Sequence, residues 1–122
     1  MTRKDFEHTV RQTLDELPPD LRRHIANVAI VVEEWPDDAT LYAAGLDDPL
    51  DLFGFYHGIP LTERMHDYGL VLPDKISIYL QPILHACHTD DQVRSHIRHT
   101  VRHEIAHHFG ISDERLEQLD TY

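Results

Sequence analysis

The chain has 122 residues, of which 11 are lysine or arginine and 22 are aspartate or glutamate, so its formal net charge is −11. This length predicts a single domain over residues 1–122, and the charge argues against nucleic acid or an anionic membrane as a partner, because both repel an acidic protein. The hydrophobic fraction of 41% suits a globular core, and no apolar run reaches the roughly 18 residues that a membrane span needs.

The first half of the chain predicts two helices and a strand before an acidic segment. Apolar residues at helical spacing predict an amphipathic helix over residues 3–17, which a Pro-Pro pair ends, and a short helix over residues 20–26. The β-branched residues 27–33 predict a buried strand. Residues 37–51 predict a loop with about one helical turn. This acidic segment is interpreted either as solvated or as favouring basic substrates.

Two further strands are predicted in the second half. The aromatic residues 52–59 predict a strand in which Gly54 marks a bulge. Residues 61–70 fit neither a helix nor a strand pattern. Residues 75–80 alternate between apolar and other side chains and predict a strand, and Pro82 places that strand at, or leading to, a sheet edge.

The C-terminal part of the chain predicts a long helix followed by a short one. Valine and isoleucine recur at every fourth position within residues 92–109, and Gly110 ends this helix. Residues 113–119 predict the short helix. Together these patterns predict an α+β fold with a small sheet and one long helix near the C-terminus.

The long helix carries residues with the spacing of a metal site. His103 and His107 are four residues apart, so both imidazoles project from one helix face and can bind one Zn²⁺. Glu104 follows the first histidine and lies where a carboxylate can take a proton from zinc-activated water. A catalytic zinc needs a third protein ligand, and the turn at Gly110 brings Asp113 back as the candidate.

A solvated histidine-rich face is the competing interpretation of the same helix. His96 and His99 continue the stripe that contains His103 and His107. The joint placement of the glutamate, glycine and aspartate favours the metal site. His96 and His99 are then groups at the rim of the site rather than ligands, although His99 lies one turn from His103 and is able to capture metal.

Cysteine content and the first residues bear on the cellular compartment. The single cysteine, Cys87, cannot form an internal disulfide, and the first residues are charged with no apolar signal-peptide centre. Both features predict a cytoplasmic protein. Cys87 itself is interpreted as a buried or partly buried thiol.

Beyond the metal motif, the chain resembles the short bacterial zincin-like metallopeptidases, a family formerly known as a domain of unknown function. The segments that carry the resemblance are residues 14–18, 27–28, 31–34, 55–64, 72–76, 79–84 and 100–116. The resemblance implies a minimal zincin-like fold, with a small mixed sheet packed on a long C-terminal active-site helix. It also implies that His103 and His107 bind zinc and that Glu104 is the catalytic carboxylate. The H-x-x-G-x-x-D extension is similar to that of metzincins with aspartate in place of histidine, but no methionine follows Met65 to form a methionine turn.

These observations predict a zinc-dependent metallopeptidase that acts on a peptide or protein. Glu104 acts as general base towards zinc-activated water and returns the proton to the leaving amine. The strand over residues 75–80, as an edge, holds an extended peptide by backbone pairing. His57, Tyr79 and Arg64 are candidates for stabilising the oxyanion, although packing or an ion pair is the simpler role of each.

Two other functions are compatible with the same residues. One is a non-catalytic zinc-binding module for a partner, although a structural zinc site does not require Glu104. The other is a zinc amidase that acts on a small molecule or a cell-wall peptide. Because one helix and one strand form half of the usual zincin groove, a homodimer or an accessory partner is a further expectation.

Overall fold

The computed structural model describes residues 1–58 and 74–109, and within them the fold is α+β with one mixed sheet of three strands. In chain order, the elements are α1 (Arg3–Asp15), α2 (Pro19–His24), β1 (Val28–Glu33), α3 (Asp38–Ala44), a 3₁₀ turn (Pro49–Asp51), β2 (Gly54–His57), β3 (Asp74–Tyr79), α4 (Leu80–Ala86) and α5 (Asp90–His108). The predicted fold class, with its long helix near the C-terminus, is confirmed. The ambiguous residues 61–70 and the short helix predicted over 113–119 lie outside the described residues. None of the helices in the described part is long and apolar enough to cross a membrane.

Side-chain caps explain where the two longest helices begin. The Thr2 hydroxyl accepts a hydrogen bond from the Asp5 amide, and the Asp5 carboxylate accepts one from the Thr2 amide. At the start of α5, the Thr89 hydroxyl accepts the amide of Gln92. Each cap satisfies a backbone donor that the first helical turn leaves without a partner.

The sheet has β3 at its centre. β3 pairs in parallel with β1 and antiparallel with β2, which gives the strand order β1-β3-β2. The prediction that residues 75–80 form a sheet edge is therefore wrong. Pro82, on which that prediction rested, lies in the first turn of α4, where the missing amide of a proline is tolerated. Within the described residues, the two outer strands of the sheet are β1 and β2.

The two faces of the sheet are covered by different helices. Ile76 and Ile78 of β3 are fully buried in the main core with residues of α1 and α5. Ser77 and Tyr79 point to the opposite face, where Tyr79 packs with Leu41 of α3. Because side chains alternate along a strand, a residue's position in the strand decides which helix it can meet.

Two helices form where the sequence predicted little regular structure. Asp37 caps α3 by accepting the Thr40 amide, and Gly45 ends α3 with a left-handed backbone at φ 73°. The acidic segment is therefore more ordered than the predicted loop. α4 follows β3 directly and was not predicted. Cys87 ends α4 and is a half-buried thiol, and burial raises its pKa.

Candidate metal and catalytic site

Helix α5 has a buried stripe and an exposed histidine ladder. Val93, Ile97, Val101 and Ile105 recur at every fourth position, and each is at most 4% exposed. His99, His103 and His107 lie outside this stripe, and all three are exposed. The buried stripe fixes the rotation of the helix, so the histidines are presented to solvent at one-turn intervals.

The rings of His103 and His107 are arranged as a pair. Their centroids are 5.9 Å apart and their planes differ by 6°. The ring of His99 continues the ladder at 6.0 Å from His103, with an interplanar angle of 19°. The predicted pairing of His103 and His107 on one helix face is therefore present in the fold.

The donor set of this pair fits a zinc ion, which accepts imidazole nitrogen readily. In the described part of the chain, no group of three or more histidine, cysteine, aspartate or glutamate side chains is placed to hold a metal ion. Asp113, the predicted third ligand, lies outside the described residues. The structure thus places two of the three predicted ligands, His103 and His107, side by side on α5, and metal ligation by all three residues stays a prediction.

Glu104 is half-buried beside the two histidines, against the start of β2. Burial raises the pKa of its carboxyl group, while the charge of His107 and the Tyr56 backbone amide act in the opposite direction. A carboxylate whose pKa is raised is a stronger base, and half-burial against β2 limits the space open to this side chain. Glu104 therefore combines basicity with a fixed position.

Gly54 explains how β2 comes so close to α5. A Cβ atom at Gly54 would lie 2.7 Å from Thr100 Cγ2, 3.2 Å from the Ser77 carbonyl oxygen and 3.3 Å from Glu104 Cγ. The glycine was predicted to mark a bulge, but its role in the structure is close packing against the helix. A glycine inside an aromatic strand was the available signal, because close backbone approach is its other common cause.

The two candidate oxyanion residues that the structure describes, Tyr79 and His57, lie away from this site. Tyr79 is 1% exposed and packs with Leu41 on the sheet face away from α5, where burial raises the pKa of its hydroxyl. His57 lies on the same far face, with its Nε2 atom 3.2 Å from Ser77 Oγ. Arg64 lies outside the described residues, so its predicted role stays open.

Comparisons with known proteins support the fold and identify the family of the chain. A conserved hypothetical protein from Thermus thermophilus has a similar fold, with a TM-score of 0.57 and 21% identity over 89% of this chain and 94% of that chain. No curated protein matches the chain. The family model described as zincin-like metallopeptidase matches residues 25–122, which include the sheet, helix α5 and the histidine pair. The chain therefore belongs to the zincin-like metallopeptidase family.

Proposed function

We propose that the protein is a zinc-dependent peptidase in which Glu104 is the general base. The observation that carries this proposal is the arrangement of a half-buried carboxylate next to two parallel, exposed imidazoles on one turn of a rigid helix. Membership of the zincin-like metallopeptidase family supports the same reaction. We include zinc as the cofactor and Asp113 as the third ligand in the proposal.

Each residue has a separate task in this mechanism. His103 and His107 would hold the zinc ion, and a bound zinc ion supplies Lewis acidity that acidifies water and polarises a carbonyl group. Glu104 accepts the proton of the attacking water and delivers it to the leaving amine. The half-buried position of Glu104 against the start of β2 limits where the carboxylate moves during both transfers.

The remaining expectations belong to the same proposal. The substrate is a peptide or protein, and the reaction takes place in the cytoplasm, which a lone cysteine favours. A homodimer or accessory partner that completes the groove stays a prediction. A non-catalytic zinc module and a zinc amidase are the competing functions, and the test below separates the first of them from hydrolysis.

The test compares native protein with Glu104→Gln on a mixture of quenched fluorescent peptides, with zinc content measured in the same samples. We expect the variant to keep its zinc and to lose roughly 10²- to 10⁴-fold in rate, the usual contribution of a general base. Asp91→Asn, which removes an exposed carboxylate from the same helix, should keep native activity. Equal rates in native protein and Glu104→Gln would overturn the mechanism. Zinc binding without turnover in either form would favour the non-catalytic module.

A further inference from the structure

A cavity of about 420 Å³ opens beside Glu104, between the start of β2 and the exposed side of α5. One wall is formed by the chain from the 3₁₀ turn into β2. The other wall is formed by side chains from successive turns of α5. The lining residues are Asp51, Leu52, Phe53, Gly54, His96, His99, Thr100, His103 and Glu104.

The contacts between the walls show how the cavity is oriented. The ring of Phe53 packs on the edge of His96 with centroids 4.4 Å apart. One residue later, Gly54 lies against Thr100 and Glu104. The strand therefore advances along the helix towards Glu104, and Asp51, which precedes Phe53, lies towards the His96 end.

The base of the cavity offers contacts for an aliphatic stem. Leu52 and Thr100 are buried, and Phe53 is half-buried. His96 is half-buried and is held by a contact of 3.1 Å between its Nδ1 atom and Thr100 Oγ1. Burial lowers the pKa of His96, so its ring is neutral at pH 7 and does not repel a cation.

The end of the cavity away from the proposed zinc site is acidic. The cavity's carboxyl-bearing lining residues are Asp51 and Glu104, and no lysine or arginine is among the lining residues. Asp51 is exposed, and within the described residues it forms no ion pair. The chain as a whole carries a formal charge of −11. An acidic side chain that reaches from Glu104 towards the His96 end would meet repulsion from Asp51, whereas a basic side chain would meet an opposite charge there.

We propose that this cavity binds a lysine or arginine side chain of the peptide substrate, with the stem on Phe53 and Leu52 and the cation paired with Asp51. This inference rests on the proposed peptidase function, because it assumes that the scissile bond lies at Glu104. A long, flexible side chain with a terminal cation is the type that reaches from the reaction centre towards Asp51 while it covers apolar surface. The cavity thus makes the enzyme selective for basic residues next to the cleaved bond.

The first arm of the test is kinetic. Quenched fluorescent alanine peptides carry arginine, leucine or glutamate at one position, and kcat/KM is measured for native protein, Asp51→Asn and Asp47→Asn. We expect arginine peptides to be preferred over leucine peptides, and Asp51→Asn to lower kcat/KM for arginine peptides about fivefold, as for a partly exposed ion pair. The same variant, Asp51→Asn, should leave kcat/KM for leucine peptides unchanged. Asp47→Asn, an exposed carboxylate in the same acidic segment, should behave as the native protein.

The second arm measures binding without turnover. Nα-acetyl-arginine amide and Nα-acetyl-leucine amide are titrated into the native protein and followed by amide NMR shifts. We expect only the arginine compound to shift Gly54 and Thr100, and Asp51→Asn to weaken its binding about fivefold. If no peptide is cleaved but this binding pattern holds, the peptidase function fails and the cavity assignment stands. Peptide cleavage with equal use of arginine and leucine, or insensitivity of both arms to Asp51→Asn, would overturn the inference.

Discussion

Gly54 of β2 and Glu104 of α5 approach so closely that a single added carbon atom at Gly54 would lie 3.3 Å from Glu104 Cγ. Two residues further along the same strand, the Tyr56 backbone amide lowers the pKa of the Glu104 carboxyl group. The strand therefore limits the space for this side chain and also influences its pKa. The proposed catalytic use of Glu104 therefore depends on a residue that has no side chain of its own.

The first prediction concerns Gly54→Ala. The added methyl group would meet Thr100 Cγ2 at 2.7 Å and the Ser77 carbonyl oxygen at 3.2 Å, so the strand or the helix must move. We expect a loss of about 1–3 kcal/mol in the free energy of unfolding, as in other overpacked interiors. Peptide hydrolysis should also fall, because Glu104 moves with the helix. Urea denaturation and kcat measure the two effects.

Two further variants separate the steric cause from a general effect of glycine replacement. Thr100→Ser removes the methyl group that is closest to the new atom, so it should restore part of the stability of Gly54→Ala when the two are combined. At Gly45 no atom lies within 4 Å of an added methyl group, but the backbone has a φ of 73°. Gly45→Ala should therefore lower the free energy of unfolding by about 1 kcal/mol and leave peptide hydrolysis unchanged. Native stability in Gly54→Ala would show that the sheet does not approach the helix this closely.

The second prediction concerns the histidine ladder. His103→Ala and His107→Ala should each lower zinc affinity more than the roughly 10- to 100-fold typical of residues that only support a ligand. His99→Ala should leave zinc affinity unchanged, although its ring lies 6.0 Å from that of His103. Elemental analysis and competition with a chelating dye give the affinities. If His99→Ala lost zinc while His107→Ala retained it, the zinc site would instead lie one turn closer to the start of the helix, at His99 and His103.

The third prediction concerns Tyr79→Phe. The Tyr79 side chain is buried, and its hydroxyl lies near the side chains of Ser77 and Thr40 on the face of the sheet opposite to α5. Removal of the hydroxyl should cost at most about 1 kcal/mol of unfolding free energy, the net contribution of one hydrogen bond, and should leave kcat unchanged. Thermal unfolding and initial rates check both parts. A large fall in kcat with unchanged stability would return Tyr79 to the role of an oxyanion donor.

The fourth prediction concerns acid and His57. Burial and the charge of Lys75 hold the pKa of His57 below its usual value of 6.5, although Glu33 and Asp37 act in the opposite direction. The unfolded chain therefore binds a proton at higher pH than the folded one, so this contribution to stability is complete above about pH 6.5 and is lost as the pH falls below it.

Urea unfolding at pH 7.5 and pH 5.5 measures the effect on His57. The loss of unfolding free energy between the two values should be smaller in His57→Gln than in the native protein. Lys75→Gln should also reduce the loss, because it removes a charge that lowers the pKa of His57. An unchanged pH dependence in both variants would contradict this account.

Local patterns in the sequence predicted the elements that have strong periodicity. Helix α5 begins at Asp90, within two residues of the predicted start, because valine and isoleucine repeat at every fourth position and Thr89 caps the helix. β1 (Val28–Glu33) also lies where its β-branched residues indicated. In both cases neighbouring residues are enough to decide the structure.

The errors arise where partners distant in sequence decide the outcome. The central position of β3 depends on pairing with β1, and nothing within residues 75–80 encodes that pairing. Pro82 was taken as a sign of a sheet edge because the helix that contains it was not predicted. The placement of Tyr79 away from α5 was, by contrast, available from the sequence, because it alternates with the apolar residues Ile76 and Ile78.

The same turn of α5 serves two purposes. Val101 and Ile105 are fully buried in the core, and His103 and Glu104 lie between them in sequence. A substitution of Val101 or Ile105 that rotates the helix would also rotate the imidazoles and the carboxylate. In the proposed mechanism, a substitution in the interior of this small domain would therefore alter hydrolysis as well as folding stability.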